Sequence, residues 1–177
     1  KDIIDHLDPL IYALETFDIT TIRAGMGMYL LAKYIRENTD IKVLLTGEVS
    51  DELFGYKYTD FAPDCESFQK ESVKRVHELH MYDVLRADRC LASNSLEARV
   101  PFLDHRLVEM TLALPTEQKI EGGWTKKILR QSMEQELPAP IIWRKDKKGF
   151  VTPQGEWMRS LRDHMIDQLH AMGDVEV

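Results

Sequence analysis

The stretch IKVLLTGEVSDELFGYKY, residues 41–58, constrains the chain more than any other. It opens with a run of five residues, mostly apolar and branched, that stops at Thr46-Gly47. A short apolar run bounded by turn residues predicts a strand over 41–45, buried on both faces as in a parallel sheet covered by helices. Three carboxylates follow at once, Glu48, Asp51 and Glu52. Open α/β sheets keep their ligands at the carboxyl ends of their strands. The pattern therefore predicts part of an α/β enzyme with its site at this turn.

Composition narrows the alternatives. Thirty acidic residues against 23 basic ones give a formal charge of −7, and the bases are interspersed with acids, which argues against a general nucleic-acid binder. No apolar run is long enough for a transmembrane helix, and the first residues lack a signal-peptide pattern, so no membrane partner is expected. Cys65 and Cys90 lack CxxC spacing and read as the ordinary thiols of a reduced, cytoplasmic protein. The 177 residues suffice for one domain with its own core. The chain opens on Lys1 rather than Met, so it is expected to be a piece of something longer.

Along the chain, helical periodicity dominates. Ile3, Leu7, Leu10 and Leu14 predict a first helix, which Pro9 is expected to divide. A second starts near an N-cap in 18–21 and continues to about Asn38; its Gly25 and Gly27 fit close approach by a ligand or, equally, a packing contact. The longest periodic stretch, 66–91, reads as one helix. Pro101 forces Val100 to be extended, Asp104 caps a helix ending before Pro115, and further helices are expected over about 125–137 and 154–169. The sum is a mostly helical chain with about one core strand. A lone parallel strand leaves backbone groups unpaired, so its partner strands are expected to lie outside this chain or in another copy.

Each constellation has a chemical and a plain reading. In TGEVSDE, Gly47 allows close backbone approach, Asp51 can hold a hard cation such as Mg²⁺ bridging phosphates, and Glu48 can orient or deprotonate a reactant. Acids that merely complement a helix dipole would look the same. In the basic loop RKDKKGFVTP, Arg144, Lys145, Lys147 and Lys148 could stabilise a transferring phosphoryl group or simply be solvated. His77, His80 and Asp83, three residues apart, fit a metal site less economically than an amphipathic helix surface. Trp124, Trp143 and Trp157 read as core.

Six motifs in order, ETFDITTIRA, LLTGEVSDELFG, ELHMYDVLRADR, LEARVPFLD, WTKKILR and RKDKKGFVTP, run across almost the whole chain. Together they resemble the synthetase domain of the glutamine-dependent asparagine synthetase family. The resemblance implies an adenine-nucleotide α-hydrolase-like fold (the N-type ATP pyrophosphatase group), a parallel sheet flanked by helices. It implies that residues 1–177 are the C-terminal portion of that domain, with the pyrophosphate-binding Ser-Gly-Gly-x-Asp-Ser loop and the glutaminase domain absent, so that this stretch alone is inactive. The implied reaction is a ligation: the side-chain carboxylate of aspartate attacks ATP to form β-aspartyl-AMP and pyrophosphate, and ammonia from glutamine displaces AMP to give asparagine.

Residue by residue, the resemblance assigns Thr46 and Gly47 to nucleotide contact, with Thr46 standing where Ser is usual. Val49 stands where Gly is common and stiffens the turn. Glu48 matches the glutamate of adenylate formation and ammonia handling, Asp51 the Mg²⁺-pyrophosphate carboxylate, and Asp83 an acid facing Glu48. Lys147 matches the lysine that neutralises the α-phosphate. Arg23 and Met28 match positions lining the nucleotide and ammonia-entry side. ATP and Mg²⁺ are the implied cofactors, aspartate and ammonia or glutamine the further substrates, and a homodimer is allowed for. Two other readings stay open: a related amidating or lactam-forming synthetase acting on another carboxylate, and a non-enzymatic helical scaffold. Retention of Glu48, Asp51 and Lys147 weighs against the second. If the chain folds alone, an apolar edge around 41–45 is expected to be exposed and to drive self-association.

Overall fold

A computed structural model describes residues 2–56, 59, 61–146, 153–171 and 173. It divides into two compact units, Lys1–Lys147 and Lys148–Val177.

In the first unit the helices α1 (Asp2–Leu14) and α2 (Ile19–Asn38) lead to strand β1 (Val43–Leu45). The short helix α3 (Ser50–Phe54) follows, then α4 (Cys65–Glu78), a 3₁₀ turn at Leu79–Met81, and α5 (Asp83–Ala92). Strand β2 (Glu97–Arg99) precedes α6 (His105–Ala113), α7 (Thr116–Lys119), α8 (Lys127–Ser132) and α9 (Ala139–Ile142). The second unit holds α10 (Gln154–Ser160) and α11 (Arg162–Ala171). No helix among the described residues is long and apolar enough to cross a membrane.

Two cores organise the first unit. In one, α1, α2 and α5 pack together, with Leu10 and Leu14 of α1 wholly buried. Gly25 lets them close: a Cβ there would lie 3.1 Å from Leu14 Cδ1 and 3.5 Å from Cys90 Sγ. Its role is packing, which answers one of the two readings of that glycine. The same layer covers one face of the sheet, where Ala32, Leu91 and Leu96 meet Met28, Ile35, Leu44 and Ala98. In the other core, Val49, Leu53 and Phe54 of the α3 region join Leu79, flanked by Phe102, Leu107, Ile128 and Leu129. The acidic turn thus sits on a packed base shared by α3, α6 and α8.

Caps foreseen in the sequence are present. Asp18 accepts from Thr21 N at 2.6 Å and starts α2; Asp104 accepts from Arg106 N and starts α6. Other expectations require correction. The strand is not buried on both faces: Leu44 is half-buried, whereas Val43 and Leu45 are exposed. Its partner is within this chain, since β2 pairs with it in parallel, Val43 opposite Glu97 and Leu45 opposite Arg99. The segment EAR does alternate, exposed, half-buried, exposed, but it is three residues long and none of them is a strong strand former. Proline does not divide α1, because the burial of Leu10 and Leu14 outweighs one missing N–H donor. The long periodic stretch is two helices, broken where Tyr82 leaves helical geometry at φ −128°, ψ −103°. The helix expected over 125–137 is only α8, because Lys126 stands in the left-handed region at φ 57° and Met133 ends it. Trp124 and Trp143 are half-buried partners in an edge-to-face pair, centroids 5.2 Å apart, rather than interior packing.

Candidate functional site

Strand pairing continues one residue past β1, as Thr46 N donates to Arg99 O at 2.9 Å. The side-chain oxygen of Thr46 is buried and has no hydrogen-bond partner among the described residues. Such a group costs free energy unless something satisfies it. Gly47 is exposed, and a side chain there would meet nothing within 4 Å, so the backbone is open to approach. Its carbonyl accepts from Ser50 Oγ at 3.0 Å.

Val49 is the sharpest point of the turn, with φ 77° and ψ −21°. A β-branched residue in the left-handed region is strained. Its side chain is 2 % exposed, and burial in the α3–α6 core holds it there. The turn aims α3 so that Asp51 and Glu52 fall in its first turn, where acids complement the exposed N–H groups.

Lys126 closes the site from across the chain. Its Nζ lies 2.5 Å from Asp51 Oδ1 and donates to Ser50 Oγ at 2.8 Å. The two charged side chains are 19 % and 24 % exposed, so solvent screens this pair less than a surface one. Behind it lies Glu52, half-buried. Burial pushes its carboxyl above the usual glutamate range, and the Asp83 and Asp51 carboxylates push the same way, against Lys126. Asp83 is itself held by Arg86 at 2.6 Å. Lys126 thus answers Asp51 directly and Glu52 through its charge, while Asp83, paired with Arg86, reaches the group only through Glu52.

Lys126 also lines a cavity of about 540 Å³ with Tyr56, Phe61, Arg130, Arg144 and Lys145. Its cations are ordered by aromatic stacking: the Arg130 guanidinium lies 5.6 Å, and the Lys145 ammonium 4.7 Å, from the Trp124 ring centroid. Burial first, and then the charge of Arg144 beside it, lowers the affinity of Arg130 for its proton. Asp146 also lines the cavity and pairs with Arg144 at 3.6 Å, so four cations stand against one carboxylate, a balance that suits an anion with several oxygens.

The structure brings Thr46, Gly47, Glu48 and Asp51 onto one turn and connects Asp83 to it through Glu52. Glu48 is half-buried there. Met28 belongs instead to the α2–α5 core, and Arg23 lies exposed earlier on α2. Lys147 lies outside the described residues. His77 and His80 fall on separate pieces, α4 and the 3₁₀ turn, and the described residues contain no cluster of three or more His, Cys, Asp or Glu suited to a metal ion. Sequence reasoning missed Lys126 and, having placed Glu52 among the strand-end carboxylates, gave it no role of its own. The signal for Lys126 was the adjacent pair in WTKKILR, which helical periodicity assigns to an unremarkable helix start; for Glu52 it was the position next to Asp51 with helix spacing back into the core.

Among the described residues the fold is mostly helical around a two-stranded parallel sheet, whose carboxyl end opens onto a turn of acids closed by a lysine. Comparison with known proteins makes the class specific. The family model described as asparagine synthase matches residues 1–67 and 60–175. Glutamine-hydrolysing asparagine synthetases are 46 % identical in Cricetulus griseus, 44 % in Homo sapiens and 45 % in Gallus gallus, each over 173 residues. Each match covers 94 % of this chain and 31 % of the relative. The chain belongs to the asparagine synthase family and spans about a third of the length of these curated relatives.

Proposed function

We propose that this chain is the C-terminal portion, residues 1–177, of the synthetase domain of an ATP-dependent ligase that converts aspartate to asparagine. The observation that carries this reading is the Asp51–Lys126 pair with Ser50 at the end of β1, in a chain 46 % identical to a glutamine-hydrolysing asparagine synthetase. The reading extends to an adenine-nucleotide α-hydrolase-like sheet, completed by a pyrophosphate-binding loop and a glutaminase domain in the whole protein.

The residues present fit Mg²⁺ and a polyphosphate. Magnesium is held by one or two carboxylates plus phosphate oxygens and water, so no cage of three protein ligands is required. Asp51 supplies the carboxylate, and the Asp83 and Asp51 charges that act on Glu52 favour added positive charge beside it. When bound, the metal neutralises charge on the departing pyrophosphate. Thr46, with its unsatisfied oxygen, and the open backbone at Gly47 hold the nucleotide at the strand end.

In the proposed reaction a carboxylate oxygen of aspartate attacks the α-phosphorus of ATP, and the bond to the β-phosphate oxygen breaks to release pyrophosphate. Lys126 meets the departing phosphates on the pocket side, while Lys147 neutralises the α-phosphate. Ammonia then attacks the activated carbonyl carbon. AMP leaves with the C–O electrons, and Glu48, with Asp83 behind it, takes the ammonium proton. Cations placed where charge develops lower the barrier in both steps.

The test uses the complete protein with ATP, Mg²⁺ and ammonium, and follows pyrophosphate release beside Lys126→Met and Lys147→Ala. Release that requires aspartate and falls on the order of a hundred-fold or more in either variant supports the assignment. Release with another carboxylate but not aspartate shifts the acceptor to a related adenylating synthetase. A folded protein that releases none with any acid overturns the reading.

A further inference from the structure

The route by which Lys126 reaches Asp51 passes through a wedge that the proposed chemistry does not use. At the end of α3, Gly55 has φ +94°, and a Cβ placed there would lie 2.5 Å from Ile120 Cδ1 and 2.7 Å from Ile120 Cγ1. The space beside Gly55 is filled by Ile120, with Phe68 Cε2 3.4 Å from the same point. Directly before Ile120, Lys119 is wholly buried. Its Nζ donates to Gln69 Oε1 at 3.2 Å and lies 5.8 Å from the centroid of the Phe68 ring, while Gln69 Nε2 donates to Leu112 O at 2.6 Å. The Lys119-Ile120 step is thereby fixed to α4, α6 and the end of α3 together.

From Ile120 the chain reaches Lys126 through a turn with little freedom. Glu121 and Trp124 exchange two backbone hydrogen bonds, at 3.2 and 3.0 Å, around Gly122 and Gly123, both with positive φ. Lys127 pairs with Glu121 across that turn, and Arg130 Nε donates to Thr125 O at 2.8 Å. Lys126 N then donates to Phe54 O at 3.1 Å, next to Gly55. The turn is thus tied to the end of α3 at both its ends, by the Ile120–Gly55 contact and by the Lys126–Phe54 hydrogen bond.

We propose that Ile120, seated against Gly55 and anchored through Lys119 to Gln69, is a positioning residue that sets the placement of Lys126 on Asp51 and Ser50. Its importance for turnover rests on the proposed ligase reaction; its control over Lys126 does not. A misplacement of the order of 1 Å in such a group can lower a rate on the order of a hundred-fold.

The experiment uses the full-length protein as wild type, Ile120→Ala, the milder Ile120→Val, and Leu10→Ala as a truncation in the separate α1–α2–α5 core. The first readout is the rate of Lys126 acetylation by acetic anhydride, measured by mass spectrometry in the folded protein. Ile120→Ala should raise that rate several-fold, Ile120→Val less, and Leu10→Ala should leave it at the wild-type level. Equal rates in wild type and both Ile120 variants, or the same rise in Leu10→Ala, would overturn the proposal. The second readout is aspartate-dependent pyrophosphate release, in which Ile120→Ala lowers kcat on the order of ten-fold at an unchanged KM for aspartate. Absence of release in wild type defeats the ligase reading, while the acetylation rates still decide the wedge.

Discussion

At the scale of single residues, Glu52 carries the most informative perturbation. Its carboxyl is raised by burial first and by Asp83 and Asp51 next. A folded-state pKa above the unfolded value means that folding favours the protonated acid. That contribution is complete below the ordinary glutamate value of 4.5 and is lost as pH rises through the raised one. Glu52→Gln removes the titration, so the variant should melt higher than wild type at neutral pH, with the gap closing as pH falls below the ordinary glutamate range. Thermal unfolding across pH checks this, and a gap that does not change with pH would refute it. Asp51 was legible from the sequence because Mg²⁺ chemistry and strand-end position point to the same carboxylate. The lysine that pairs with it was not, because the contact joins residues from opposite halves of the chain and depends on a left-handed backbone at Lys126 that nothing local in WTKKILR demands.

At the scale of elements, the helices were read largely from periodicity and caps, and their ends from prolines and polar turns. The failures have a common cause. Periodicity continues through residues 66–91, but the hydrophobic face of α4 looks to the α3–α6 core and that of α5 mostly to α1 and α2, so the chain breaks at Leu79–Met81 to serve both. Strand β2 was invisible because three residues with one half-buried alanine carry almost no pattern. The α1–α2–α5 packing makes a quantitative prediction. Leu14→Ala removes a wholly buried side chain against Gly25 and should cost about 2–5 kcal/mol in unfolding free energy. Gly25→Ala, whose Cβ would press on Leu14 Cδ1 at 3.1 Å, should be destabilising in wild type and better tolerated in the Leu14→Ala background. Denaturant unfolding of the two single variants and the double variant measures that coupling; simple additivity would show that the two sites do not share a packing contact.

At the scale of the whole molecule, Ile41, Val43 and Leu45 lie exposed along the strand region at 45, 38 and 76 %. Side chains two apart on a strand share one face of the sheet, so this is an exposed apolar face that another copy can cover. This chain should therefore self-associate with rising concentration, and Leu45→Lys should reduce that association; light scattering on both decides it, and equal mass at all concentrations would refute it. The parallel pairing has a further consequence, in time rather than in space. Val43 and Glu97 are separated in the chain by α3, α4 and α5, so the sheet is expected to close late. Contacts of such long sequence separation slow folding, and the two strands wait with their edges open while the helices form. Refolding of this chain should accordingly show helical signal before the final step, with a yield that falls as protein concentration rises.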